Sequence, residues 1–171
     1  VSNGHLRLPG GIASVSVAGD VAVQGERGRL DLGGGDSYAV LRGPWRPVTA
    51  APAPMTVSVD GDVALSGGGA LWLIPPPTNG VDGAEGLVLD IGGSLAVGEG
   101  SCLYPCSDPT NGASARIDAH DLIVSVGGKI DAAYAGFTGG RGSRGGGPGA
   151  SPHRGGGGHG GHGGAYTAGQ P

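Results

Sequence analysis

The side chains of this sequence that could do chemistry are few and widely spaced. Three histidines, His153, His159 and His162, stand in a run of glycines. Neutral imidazoles are ligands for Zn, Ni or Cu, so the three together could hold a metal ion. A backbone made mostly of glycine orients ligands poorly, however, and no carboxylate lies close by in the sequence. We expect solvated spacers or lateral hydrogen-bonding groups here, and we predict no cofactor.

A second group of polar residues has the composition of a carbohydrate-cleaving site. It consists of three carboxylates and two cations, namely Asp118, Asp121, Asp131, Arg116 and Lys129. Polysaccharide lyases built on parallel β-helices combine carboxylates with a basic residue in this way. Aspartates between short strands commonly serve turns instead. The sequence therefore favours a protein that is not an enzyme, with a lyase or hydrolase as the weaker alternative.

The two cysteines, Cys102 and Cys106, are four residues apart in a segment with two prolines. A zinc site would need further Cys or His ligands at matching spacing, and none is nearby. We predict a local disulfide that pins a loop, which would place the protein in an oxidising compartment. Two free thiols are the alternative.

Two tryptophans and two aspartates complete the candidate residues. Trp45 lies among prolines and is predicted to be an exposed platform for stacking a sugar ring, whereas Trp72 lies in an apolar run and is predicted to be core. Asp20 and Asp62 each follow a glycine and are predicted to cap turns, with calcium binding as an alternative.

Charge and hydropathy exclude several classes of partner. The net charge is −4, and the ten Lys and Arg residues do not form the dense basic cluster that nucleic-acid binding requires. No run approaches the ~20 apolar residues of a membrane-spanning helix. The chain starts at Val1 and has no basic-then-apolar leader, which favours a processed or excised extracellular segment.

The elements that must position these residues come from a repeated phrase. Residues 57–65 contain two short alternating apolar runs joined at a Gly-Asp corner, and similar phrases occupy residues 15–23, 89–97 and 124–132. The shared glycines are Gly19, Gly61, Gly93 and Gly128. Alternation of this kind indicates half-buried strands, and a period of 20–50 residues indicates a stacked repeat architecture.

Short strands cannot stand alone, but stacking the copies in register pairs each strand with its equivalent and aligns apolar residues in columns. We therefore predict an all-β fold, a right-handed parallel β-helix (solenoid) of about four coils over residues 1–138. A β-sandwich would not need equal phrases at equal positions. Residues 113–120 are the one stretch that could form a short helix. Residues 139–171 are predicted to be a Gly-rich, extended, polyproline-II-like segment.

The Gly-rich part of the sequence carries a family resemblance. Residues 127–140, followed by 145–149 and 158–164, resemble a phrase that ends an array of β-helix-like repeats in large secreted Gly-rich proteins. The resemblance covers roughly residues 92–164 and is compositional. It implies an extracellular surface or structural role and transfers no active-site residues.

The function that the sequence favours is a structural module of an extracellular filament, appendage, surface layer or matrix. Such a module would associate with itself or with other structural subunits through its solenoid ends and its Gly-rich segment, because an uncovered sheet edge otherwise invites aggregation. A carbohydrate-binding or adhesive module with glycans as partners is the alternative. We predict no nucleic-acid partner and no membrane insertion.

Overall fold

The structure, a computed structural model, describes residues 1–8, 12–33, 54–76, 85–108, 113–133 and 135. In these ranges the chain forms β-strands and no helix, which confirms the predicted all-β class. It follows that these ranges hold no apolar helix long enough to cross a membrane. The strands are β1 (His5–Leu8), β2 (Ser14–Val17), β3 (Val21–Gln24), β4 (Arg29–Gly33), β5 (Met55–Val59), β6 (Val63–Ser66), β7 (Ala70–Ile74), β8 (Glu85–Val97), β9 (Cys102–Pro105), β10 (Ser114–Val124) and β11 (Lys129–Ile130).

The strands are arranged in two sheets. Within each sheet, all the ladders between neighbouring strands are parallel. Sheet 1 has the order β2-β5-β8-β6-β3, with β10 also paired to β8. Sheet 2 has the order β1-β4-β7-β9-β11. Parallel neighbours require a crossover between them, so the chain must leave each sheet and return to it.

The chain visits the two sheets in a regular order, with two strands in sheet 1 followed by one strand in sheet 2. The runs β2, β3, β4 and β5, β6, β7 follow this order, and β8 fills both sheet 1 positions with one strand of 13 residues. Val57 of β5 lies opposite Leu89 of β8, and Leu71 of β7 lies opposite Leu103 of β9, each 32 residues later. Equivalent strands of successive repeats are therefore hydrogen-bonded neighbours.

The core is formed by the inward side chains of both sheets. Along β5, Met55, Val57 and Val59 are buried and alternate with half-buried Thr56 and Ser58, as the period of two requires. Inward residues of β7, β8 and β9 join the same buried cluster, among them Leu71, Leu73, Leu87, Leu95 and Leu103. Burying each such side chain stabilises the fold by about 1.5–3 kcal/mol, so the aligned columns supply the main stabilisation.

Glycines form one corner between the sheets, where Gly67 lies against Gly25, Gly100 lies against Gly68, and Gly127 lies against Gly100. All five have positive φ values, +83° at Gly25, +58° at Gly67, +93° at Gly68, +70° at Gly100 and +80° at Gly127, in the left-handed region that favours glycine. The Gly25 N–H donates to the Ser66 carbonyl, and the Gly100 N–H donates to the Gly127 carbonyl, both at 3.0 Å. The corner thus repeats from one copy to the next with its own hydrogen bonds.

The predicted position of the fourth copy is wrong. Gly19, Gly61 and Gly93 do stack, since the Gly61 N–H donates to Gly19 and the Gly93 N–H donates to Gly61. Gly128 does not continue that column, because β10 pairs with β8 so that Val124 lies opposite Val97, and Lys129 lies opposite Cys102. The glycines at 127 and 128 belong to the later, left-handed corner. The fourth copy begins near His120 instead, since Ala119 lies opposite Ile91 and Asp121 lies opposite Ser94.

Two further predictions concern the end of the chain. The short helix considered for residues 113–120 is wrong, because residues 114–120 belong to β10 and extend the parallel ladder on β8. The Gly-rich segment, residues 139–171, lies outside the described residues.

Candidate functional site

One end of the two sheets is formed by β10 and β11, and it exposes apolar side chains. Leu122 is 55% exposed and Ile130 is 44% exposed, although Leu95 and Leu103, their neighbours in the preceding repeat, are fully buried. Val124 is also 44% exposed and lies opposite buried Val97. We call this surface the C-terminal face. Its side chains continue the buried columns of the core, but no further strand of the two sheets covers them.

The other end is formed by β1, β2 and β3, and we call it the N-terminal face. An apolar cavity of about 280 Å³ opens there between the two sheets. Leu6 and Leu8 line it from β1, and Val17 and Val21 line it from sheet 1. Leu6 is 48% exposed, so this end also presents core columns without a covering layer.

Sequence reasoning missed the residues of both faces. The apolar run Leu122, Ile123 and Val124, and Ile130 between two charged residues, were detectable signals for strands. It did not reveal which strands would be last in the stack, and only the last strands leave inward side chains uncovered. Exposed apolar patches of this kind mark interaction surfaces or aggregation sites.

A polar cluster lies on the outer side of sheet 2, the side turned away from the core. Asp31 is fully buried there. The Arg29 guanidinium donates from Nε to Asp31 Oδ1 at 2.6 Å and from a terminal nitrogen to Oδ2 at 3.0 Å. His5 Nε2 lies 2.8 Å from Oδ2 of the same carboxylate. These charge-assisted bonds compensate the carboxylate for its lost water.

Trp72 extends this cluster, and its predicted place in the core is wrong. The residue alternates with buried Leu71 and Leu73, so its ring lies on the outer side of β7, half-buried. It stacks on Tyr104 with ring centroids 4.0 Å apart and an interplanar angle of 15°. Arg29 lies over the Trp72 ring, 4.7 Å from the centroid. Both faces of the indole are thus occupied, which leaves no free face for stacking a sugar ring.

Two acids beside this cluster have raised pKa values. A hydrogen bond with the Cys102 side chain raises the pKa of Tyr104, with burial and the charge of Asp131 acting in the same direction. Burial raises the pKa of the Cys106 thiol, and the charge of Asp31 adds to the effect. Raised values keep both groups protonated at neutral pH, so neither is activated as a nucleophile.

The predicted disulfide is absent, since Cys102 and Cys106 are both free and buried. The reason is the conformation of the segment, because Cys102 begins the extended strand β9 and Cys106 directly follows its end. Four residues of extended chain span roughly 13 Å, whereas a disulfide needs Cα atoms about 4.4–6.8 Å apart. Each thiol is near a backbone carbonyl instead, Cys102 at 3.7 Å from Leu103 and Cys106 at 3.8 Å from Tyr104.

Asp20 and Asp62 serve turns, as predicted, but they do so between repeats. Asp20 Oδ1 accepts a hydrogen bond from the Asp62 backbone N–H at 2.9 Å, and Asp62 Oδ1 accepts one from the Ser94 N–H at 2.7 Å. Each carboxylate therefore ties one corner to the corresponding corner of the next copy.

The proposed lyase residues are dispersed over exposed surface. The Arg116 guanidinium donates to both carboxylate oxygens of Glu85 at 2.8 Å and to Asp118 at 2.9 Å. The bond to Glu85 raises the pKa of Arg116 above its already high value. Asp121 lies 3.1 Å from His120, and Asp131 accepts from the Ala133 N–H. Arg116 and Asp118 are thus in contact, whereas Asp121 and Asp131 have other partners and do not join them.

The remaining candidate residues, Trp45, His153, His159 and His162, lie outside the described residues. Over the ranges that the structure describes, no three His, Cys, Asp or Glu side chains are close enough together to hold a metal ion.

Comparison with known proteins adds no family assignment. No family model matches the chain, and neither the curated proteins nor the solved structures give a match.

Proposed function

We propose that the protein is a non-enzymatic structural module of an extracellular filament, appendage, surface layer or matrix. Its architecture on this proposal is a right-handed parallel β-helix of about four coils. The repeated order of two strands in sheet 1 and one in sheet 2 supports this architecture, because it is the order that a three-sided coil produces. The constant register between successive copies supports it as well.

The observation that carries the proposal is the state of the two ends. At the C-terminal face Leu122, Val124 and Ile130 continue buried columns and are themselves exposed, and at the N-terminal face an apolar cavity opens beside Leu6. Covering these surfaces with another copy would remove apolar area from water at about 25 cal/mol per Å². It would also pair strand edges that otherwise attract unintended partners.

The extracellular location rests on the compositional resemblance of residues 92–164 to secreted Gly-rich repeat proteins. The free cysteines remove one argument for an oxidising compartment, since the predicted disulfide is not formed.

The alternatives have weaker support among the described residues. A glycan platform at Trp72 is disfavoured because Tyr104 and Arg29 occupy its two faces. A lyase is disfavoured because Asp118 is exposed and paired with Arg116, whereas Asp121 contacts His120 and Asp131 accepts from the Ala133 N–H.

Sedimentation velocity over a range of protein concentrations tests the proposal. We expect the wild-type chain to form larger species as its concentration rises. Val124→Lys places a charge in an inward column of the C-terminal face and should keep the chain as one small species. Ile123→Lys is the matched control, because Ile123 is equally accessible but lies opposite Ala96 on the outer side of β10. A wild-type chain that stays monomeric at all concentrations would overturn the proposal.

A further inference from the structure

We infer that the N-terminal face binds an extended peptide segment of a partner protein, which adds to sheet 1 as one further strand in parallel with β2. The segment has aliphatic side chains at alternate positions, followed by a basic residue. This inference goes beyond the proposed assembly function, because binding of such a segment needs only one copy of the chain.

Two of the three strand positions at the N-terminal face are covered. Residues 1–3 lie over β3, since Ser2 forms a parallel bridge with Gln24 and the Gln24 N–H donates to the Val1 carbonyl at 2.8 Å. All four residues of β1 pair with β4. Among the strands that the structure describes, β2 pairs only with β5, so the position over β2 is open.

The burial of the inward side chains shows the same gap. Val23 of β3 and Leu32 of β4 are buried, because residues 1–3 and β1 lie over these strands. Val17 of β2 is only half-buried, although Val59, its neighbour in the next copy, is buried. The outermost layer of this face therefore lacks one strand, and the gap is one strand wide.

The backbone of β2 presents hydrogen-bonding groups to this gap. In a parallel ladder the N–H and C=O of one residue point to one neighbouring strand, and those of the next residue point to the other. The Asp60 N–H donates to the Val17 carbonyl at 3.0 Å, so Val15 and Val17 serve the ladder with β5. Ser14 and Ser16 therefore turn their backbone groups to the open edge, where an added strand would pair with them.

The cavity beside the gap determines which side chains the added strand carries. It has a volume of about 280 Å³ and reaches Leu71 and Leu89 of later copies. Its lining side chains are apolar apart from Asp20. A strand over β2 turns alternate side chains toward this cavity, opposite Val15 and Val17. Aliphatic side chains there continue the inward columns, whereas polar ones would be buried without partners.

Charge at the end of β2 favours a basic residue in the partner. Asp20 lines the cavity, and exposed Asp60 and Asp62 belong to the same corner, where Asp20 accepts a hydrogen bond from the Asp62 N–H. None of the ion pairs among the described residues includes these three carboxylates. A Lys or Arg opposite Asp20 would gain an opposite charge, and added salt would weaken this attraction.

The same position in the chain's own copies is not basic. It is occupied by Asp20, Asp62, Ser94 and Asp121 in successive copies. A strand donated by a further copy would therefore bring a carboxylate or a hydroxyl to the acidic corner. Charge complementarity thus favours a segment of a different protein.

The test measures binding of a fluorescein-labelled peptide, Thr-Val-Thr-Val-Ser-Gly-Lys, to the full chain by fluorescence anisotropy. Its valines stand opposite Val15 and Val17, and its lysine stands opposite Asp20. A second peptide, Val-Thr-Val-Thr-Ser-Gly-Lys, has the same composition with the alternation moved by one residue, and a third has aspartate in place of lysine. We expect the first peptide to bind about tenfold more tightly than the second, and several times more tightly than the third.

Three variants of the chain locate the binding at the edge of β2. Ser16→Pro removes an N–H that points to the gap and should weaken binding of the first peptide by about fivefold. Ser16→Ala is the matched control, because it keeps the N–H and should bind as the wild type does. Asp20→Asn keeps the Oδ1 acceptor for the Asp62 N–H, and it should remove the preference for lysine over aspartate.

The outcomes separate this inference from the assembly function. Equal binding of the three peptides, or no binding of the first, would overturn the inference, while larger species in sedimentation still upheld assembly. A chain that binds the first peptide and stays monomeric would overturn the assembly function alone. Tighter binding of the aspartate peptide would identify the chain's own phrase as the preferred strand and would overturn the basic partner.

Discussion

The carboxylate of Asp31 is almost completely removed from water, although it lies on the side of sheet 2 turned away from the core. It is stabilised by neighbours from three strands, with Arg29 beside it, His5 on β1 and the Trp72 ring beneath the guanidinium. The sequence showed Arg29 and Asp31 as polar residues of a short strand. It could not show that His5, 26 residues away, would complete the cluster.

Loss of this carboxylate should destabilise the chain. In Asp31→Ala the Arg29 guanidinium loses two charge-assisted hydrogen bonds while remaining largely buried. We expect the free energy of unfolding to fall by about 2–4 kcal/mol. Denaturant titration followed by circular dichroism measures it. Asp118→Ala is the control at an exposed ion pair, where a change of about 0–1 kcal/mol is expected. Equal effects of the two substitutions would contradict the role given to Asp31.

At the corner after β6 two backbone segments approach each other closely at Gly69, and a substitution there tests this contact. A Cβ atom there would overlap the carbonyl oxygen of Val23, a backbone atom that cannot rotate away. Gly69→Ala should therefore lower the free energy of unfolding by about 1–3 kcal/mol. At Gly4 the nearest atom to an added Cβ is 3.7 Å away, so Gly4→Ala should be nearly neutral. The same denaturant titration compares the two, and a neutral Gly69→Ala would show that the corner is looser than described.

At the scale of the element, period-two alternation was a sufficient signal for most strands. Residues 15–17 and 57–59, the first apolar runs of two copies of the repeated phrase, fall within β2 and β5. Boundaries were less well determined, since β8 runs through Gly92 and Gly93 where a break was expected. One hydrogen bond crosses this corner, from the Gly93 N–H to the Gly61 carbonyl at 3.0 Å, and the ladder with β10 shifts register opposite it.

The fourth copy was misplaced because two kinds of corner look alike in sequence. Gly92-Gly93 and Gly127-Gly128 are both followed, two residues on, by an aliphatic residue, Leu95 or Ile130. Only Gly127 has a positive φ, and it lies against Gly100 of the other corner. The two corners differ in backbone conformation, and a Gly-Gly pair in the sequence does not determine which conformation the chain adopts. The end faces escaped prediction for the same reason, since a misplaced last copy hides which columns end uncovered.

Cys102 begins β9 and Cys106 follows its end, and the reactivity of these two thiols tests the extended conformation of the strand. Because both thiols are free and buried, the native chain should react slowly with iodoacetamide at pH 8. Burial raises the pKa of Cys106, so its thiolate fraction is low there, and its reaction should accelerate only at higher pH than for an ordinary thiol. Mass spectrometry after denaturation without reductant should show two labelled cysteines. An unlabelled, linked pair would mean that β9 is not extended as described.

At the scale of the whole molecule, the two sheets form a stack with a direction and two unlike ends. Inner columns supply the stability, corner glycines and aspartates tie successive copies together, and the last strands at each end carry apolar side chains into solvent. These features are what a module needs in order to continue its stack in another copy. The sequence indicated the stacking, and the structure identifies the strands that end it and their exposed apolar side chains.

Electron cryomicroscopy of the purified chain at high concentration tests the proposed assembly most directly. The proposal predicts unbranched, polar filaments in which strands lie across the axis with a spacing of ~4.8 Å, and Val124→Lys should abolish them. Separate particles of single-chain size, under conditions where the chain remains folded, would contradict the assembly function.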